Sequence, residues 1–199
     1  MANEYGGGLA RLKERLDIEA GDDSRDELLT SALAAASRGI DRTCGRRFWL
    51  DPEPVTRTYR IGGRVVCNAD GELLLIDDLG DDTILTVETG AGASWSPVTG
   101  YETSPDNALV DGRPITGLLR VNSSWGIHTA RVRVTTRWGW PAVPDDVDEA
   151  ALIQASRLFK RKDSPEGVMG SAEWGVVRLS RRDPDVWNLI EPYVVPGFG

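Results

Sequence analysis

Histidine is almost missing from this chain of 199 residues; His128 is its single copy. With only Cys44 and Cys67 beside it, zinc sites of ordinary His/Cys composition are excluded. The usual Ser/His/Asp and Cys/His catalytic layouts go as well, unless His128 alone serves as the base. Two cysteines make no disulfide framework. No apolar run approaches the ~18 residues that cross a bilayer, and the polar, Gly-rich start lacks the basic-then-apolar order of a signal peptide. These absences point to a cytoplasm, or to an assembly made in one. Lysine occurs only as Lys13, Lys160 and Lys162, so arginine supplies nearly all of the 23 basic residues. Arginine is the better bidentate interface former, although GC-rich codon usage explains the bias more simply.

Acidic residues number 31, giving a net charge of −8, which disfavours a dedicated nucleic-acid binder. A 40% hydrophobic share with 22 glycines fits a globular chain of one large domain or two small ones.

Helical periodicity is confined to the two ends. Leu9, Leu12 and Leu16 mark a short amphipathic helix, with Gly21 as its expected stop. Ser24 and Glu27 form an S-x-x-E capping pattern ahead of a stripe through Leu29, Leu33, Ala36, Ile40 and Cys44, and Gly45 suits the C-terminal cap. Asp145 or Asp146 is expected to cap a third helix reaching about Lys162. It has an acidic start, a basic end and the stripe Val147, Ala151, Ala155 and Leu158. Asp183-Pro184 opens a last short helix to about Glu191.

Between the ends, residues 52–138 read as short strands rich in Val, Ile, Thr, Tyr and Trp. The expected strands are 56–61, 64–67, 73–76, 83–88, 94–98, 117–122 and 130–138. The expected fold is therefore α+β. About four helices in the flanks (1–50 and 141–199) form one small bundle, with an antiparallel β domain (51–140) inserted.

No constellation in the chain carries catalysis. Asp77, Asp78, Asp81 and Asp82 miss the spacing of a calcium loop and read as a solvated acidic turn between strands. Arg131, Arg133 and Arg137 alternate along a strand and read as cross-strand ion-pair or subunit-contact partners rather than phosphate ligands. Trp138-Gly139-Trp140 reads as a rigid corner with Trp138 packed inside. No cofactor or metal is expected.

The ordered set of flanking segments resembles a known family. It comprises Leu9–Leu16, Ala34-Ala35-Ala36-Ser37 running to Gly45-Arg46-Arg47-Phe48, Val132–Thr135 with Trp138-Gly139-Trp140, Val143–Val147, Ala150–Lys162, Ser164–Val168 and Asp185–Tyr193. In that order these look like the head–tail connector (adaptor) proteins of long-tailed double-stranded-DNA bacteriophages. The resemblance covers roughly half the chain, and the β region is longer than in the small all-helical members.

The resemblance implies a non-enzymatic virion protein of the neck, assembled in the host cytoplasm. It implies a homo-oligomeric ring of twelve under the portal protein, joined below to the next neck or tail-completion protein. Double-stranded DNA passes through the lumen of such a ring without sequence-specific binding, and no membrane is involved. Carried onto this chain, portal docking falls on Trp187, Leu189, Ile190 and Tyr193. Subunit contacts are expected at Leu29, Leu33, Ile40 and Trp174, and Asp77, Asp78, Asp81 and Asp82 are candidates to line the channel. Two other readings stand beside it. One is a carbohydrate- or ligand-binding β module with Trp95, Trp125 and Trp138 exposed on one face. The other, much weaker, is a hydrolase built on His128 and the Asp77–Asp82 cluster.

Overall fold

The computed structural model describes residues 5–126, 130–161 and 183–195, with the backbone of 168–169 and 177–178. The chain forms two compact units, Met1–Arg47 with Val143–Gly199, and Phe48–Ala142. The class is α+β.

The first unit is helical: α1 (Gly8–Arg15), α2 (Asp26–Cys44), α3 (Asp145–Lys160) and α4 (Pro184–Ile190). The leucine spacing of α1 and α2 does what a 3.6-residue period requires. Leu12, Leu29 and Leu33 are fully covered and meet Leu152, Ala155 and Phe159 of α3. Tyr5 adds a contact that no periodicity reveals. It is buried, its N–H donates to Ser37 Oγ at 3.0 Å, and its hydroxyl donates to Asp41 at 2.6 Å. The neighbouring Gly6 N–H donates to Asp148 Oδ1 at 2.8 Å, which ties the chain start to both long helices.

Helix ends partly depart from expectation. α1 stops at Arg15, well before Gly21, because Asp17 turns left-handed (φ 56°). The Ser24–Glu27 capping box does not form. α2 starts at Asp26 behind Arg25, while Ser24 Oγ bonds back to Asp22. Asp22 is the nearer acceptor and offers a local turn that competes with the cap. α3 starts behind Pro144 with no side-chain cap, so Asp145 and Asp146 act only as first-turn charges. At the other ends the expectations hold: Gly45 takes the left-handed C-cap, and Asp183 accepts from the N–H groups of Asp185 and Val186. Short strands β8 (Val168–Met169) and β9 (Val177–Arg178) pair with each other; Trp174 and His128 lie outside the described residues.

The second unit is an antiparallel sheet of β1 (Val55–Arg60), β2 (Val65–Cys67), β3 (Gly71–Ala91), β4 (Ser94–Pro97), β5 (Glu102–Ser104), β6 (Ile115–Val121) and β7 (Arg131–Trp138). Its spine is β3, which merges two expected strands and the acidic stretch between them. The first part of β3 pairs with β2 and β6, and the last part with β4 and β7. Around the middle the register shifts: Asp81 faces Arg137 and Thr86 faces Thr135, so residues 82–85 stand against Thr136 alone. Such bulges bend a strand. The bend lets both halves share one core, with Leu74 and Leu118 from one and Val87, Val132, Val134 and Trp138 from the other.

β7 alternates as its sequence demands, with Val132, Val134, Thr136 and Trp138 buried. Gly139 ends it at φ 116°, and a Cβ there would sit 2.0 Å from the Trp49 carbonyl oxygen. Only glycine fits this corner.

Candidate functional site

The expected acidic turn is instead part of β3, and three of its four carboxylates are engaged. Asp77 pairs with Arg57 at 2.8 Å and Arg64 at 3.3 Å. Asp81 pairs with Arg137 at 3.0 Å and accepts from the Thr83 hydroxyl at 2.6 Å, chiefly the latter holding its carboxyl below the ordinary range. Asp78 accepts from the Trp140 indole at 3.1 Å. Asp82 is exposed. The cluster reads as a turn in one dimension because the arginines that balance it lie far away in sequence. Cross-strand register brings them together.

The arginine stripe of β7 behaves as expected in two of its three positions. Arg133 pairs with Glu88 at 2.7 Å and stacks over Trp95, and Arg137 pairs with Asp81. Arg131 is exposed and faces Arg60 across the β1–β7 ladder. The tryptophan face needed by a sugar-binding module does not exist. Trp125 and Trp138 are buried, and their indoles donate to the Glu72 and Val55 carbonyls; only Trp95 is part-exposed. These rings are the largest apolar groups available to a two-part sheet, and the core takes them.

In the helical unit, Leu29, Leu33 and Ile40 are 0%, 0% and 2% exposed, so they are core rather than subunit-interface residues. Their stripe is the one on which α2 packs within its own chain. Beside that stripe α2 carries a slim strip in which Ala35 and Thr43 are exposed and Gly39 half-buried, with Leu28, Arg38 and Arg42 exposed as well. This side opens on a groove of about 370 Å3 lined by Ala35, Gly39, Thr43, Leu158, Val186 and Trp187. Of the four expected docking residues, Ile190 is instead buried, its carbonyl facing the Cys44 thiol at 3.9 Å. Burial pushes that thiol up to about 11. Trp187, Leu189 and Tyr193 are part-exposed, and the Tyr193 hydroxyl donates to Asp146 at 3.2 Å. An ion pair between Arg157 and Asp183 fixes the start of α4. The Asp183-Pro184 start locates α4 in the sequence but does not tell which side its own chain covers.

Among the described residues no group of three or more His, Cys, Asp or Glu is arranged to hold a metal ion. No described helix is long and apolar enough to cross a membrane. The arrangement consists of a shallow apolar groove on the helices and paired charges on a bent sheet.

No protein-family model matches the chain, and no curated protein matches it. Solved structures do. The chain is similar over 100% of its length to 98% of a protein in the neck of an empty gene transfer agent particle computed with C6 symmetry, at 19% identity and a TM-score of 0.57. It is similar over 99% of its length to 97% of a protein in the native gene transfer agent virion, at 20% identity and a TM-score of 0.51. The shared fold therefore includes both the helical flanks and the β insert.

Proposed function

We propose that this chain is a structural neck protein of a phage-like particle, a head–tail connector that forms a ring beneath the portal and carries the tail attachment site. The observation that carries the reading is the end-to-end likeness to a neck protein, with both chains covered almost completely. The connector-like order of flanking segments supports it independently. A twelve-membered ring obeys the six-fold symmetry of that neck.

In this reading the groove-bearing side of the helical unit meets other subunits. Trp187 and Tyr193, with Leu189 beside them, anchor the C-terminal segment on the portal, as aromatics such as Trp and Tyr commonly do at interfaces. Ile190 holds that segment to its own chain. DNA slides past a ring that repeats the acidic excess of each subunit, and like charge limits adhesion to phosphate. Asp82, exposed, is the best placed of the four aspartates to face such a channel; Asp77 and Asp81 have their charge balanced by arginine.

The test is assembly with purified portal, viewed by negative-stain microscopy and weighed by native mass spectrometry. A closed ring seated on the portal is expected, and Trp187→Ala is expected to abolish seating while leaving the fold intact. A chain that stays monomeric beside the portal at high concentration defeats the reading.

A further inference from the structure

β1 is an edge strand. β7 pairs with one side of it, and no described strand pairs with the other. The free side borders a hollow of about 610 Å3 lined by Arg57, Tyr59, Arg60, Gly63, Arg64 and Asp77. Successive strand residues point to opposite faces, so a hollow touched by each of residues 57–60 lies at the strand's edge rather than on one face. Its mouth is open, since a Cβ added at Gly62 or Gly63 would meet nothing within 4 Å.

Three arginines and one carboxylate line this hollow, in a chain whose net charge is −8. Arg57 and Arg64 share Asp77, which leaves surplus positive charge. Both guanidiniums are held in place, Arg57 4.5 Å over the Trp138 ring and Arg64 5.0 Å over the Tyr59 ring. Arg60 is exposed and stands directly opposite exposed Arg131 in the ladder. Like charges at that distance repel, and among the described residues neither has a carboxylate partner. An anionic group arriving from outside relieves that repulsion.

The geometry points to an extended acidic segment of another polypeptide as the occupant, added as a strand to the free edge of β1. A polypeptide brings main-chain donors and acceptors to match the unpaired N–H and C=O groups of an edge, and a phosphodiester brings no donors. Alternate side chains of an added strand face the same way, so carboxylates on one side meet Arg60. Carboxylates on the other side meet the surplus charge of the Arg57–Asp77–Arg64 group. Edge strands are commonly protected against such pairing; here the protection is cationic and therefore selective.

A fluorescein-labelled decapeptide built of Glu-Glu-Val-Val repeats, which places glutamates on both faces of an added strand, tests this by anisotropy titration against the full chain at low ionic strength. Saturable binding is expected, weakened about tenfold by Arg60→Glu and unchanged by Arg38→Glu on α2. Bound peptide is expected to slow amide hydrogen exchange at residues 55–60. Thermal melts check that Arg60→Glu remains folded. Absence of saturation, equal binding by Arg60→Glu, or unaltered exchange at 55–60 overturns the assignment. So does a duplex DNA oligonucleotide of equal charge that binds more tightly and protects the same amides, which makes the hollow a nucleic-acid surface instead.

Discussion

The helical unit draws its order from neighbours in sequence, and the β unit draws its order from residues far apart. In α2 one stripe at spacings of three and four places Leu29, Leu33 and Ile40 in the core. In β3 a strand from Gly71 to Ala91 has partners in β2, β4, β6 and β7, and its central bend exists only because those partners pull the two ends into different ladders. Apolar periodicity suffices to specify a helix face, whereas a sheet also needs register. Charge follows the same division. The first turn of α3 holds Asp145, Asp146 and Asp148 where the helix dipole favours them. Asp77 and Asp81 of β3 instead depend on arginines from β1, β7 and the loop before β2.

Four experiments probe that contrast, and the first has the largest expected effect. Gly139→Ala is expected to destabilise the β unit by about 4 kcal/mol, because a side chain there meets the Trp49 carbonyl at 2.0 Å in a left-handed backbone. Urea unfolding followed by tryptophan fluorescence measures it; a loss under about 1 kcal/mol shows the corner to be pliable and the β unit less constrained than its contacts imply.

Leu33→Ala follows, with an expected loss of about 3 kcal/mol from a side chain wholly covered by the helices. Amide hydrogen exchange then discriminates between the units. The helical amides are expected to exchange faster, with those of residues 132–138 nearly unaffected. Equal acceleration in both would erase the distinction drawn between them.

Gly39→Ala is expected to act in the opposite direction to Gly139→Ala, stabilising the protein by about 0.7 kcal/mol. Nothing lies within 4 Å of a Cβ at Gly39, and alanine is the better helix former. If the groove beside Gly39 receives a neighbouring subunit, the same change weakens ring assembly while raising the unfolding midpoint.

The smallest effect separates two aspartates by pH. Burial raises the Asp41 carboxyl above its ordinary range, despite the hydrogen bond from Tyr5. Its folded form therefore holds a proton more readily than its unfolded form, and the contribution of Asp41 to stability falls as pH rises through that interval. Hydrogen bonds from Thr83 lower the Asp81 carboxyl, so its contribution is present above the unfolded carboxylate range and is lost as pH falls through the depressed value. Urea melts at about pH 4 and about pH 7 should accordingly change in opposite senses for Asp41→Asn and Asp81→Asn, each relative to the parent chain. Shifts of one sign for both would mean that their surroundings do not differ as described.

Several elements are legible in the sequence alone. α2 with its Gly45 cap, the span of α3 within two residues, the Asp183-Pro184 start of α4 and the inward face of β7 all follow from local pattern. Less legible were Tyr5, whose partners Ser37 and Asp41 lie more than thirty positions away, and the capping role of Ser24, which Asp22 pre-empted. The surfaces were harder still. Sequence spacing marked Leu29, Leu33 and Ile40 as apolar, but apolar stripes look the same whether a helix of the same chain or another subunit covers them. Likewise nothing local distinguishes Trp95, part-exposed, from Trp125 and Trp138 in the core.

By itself, then, the sequence determined the α+β class, the helical ends and the β-rich middle, because each depends on composition or on residues within a few positions of one another. Only the tertiary structure decided that the acidic stretch of residues 77–82 is a bent strand, that Asp77 and Asp81 are answered by arginines, and that β1 has an open cationic edge. Register and bulges depend on long-range pairing, and no single stretch of chain contains that information.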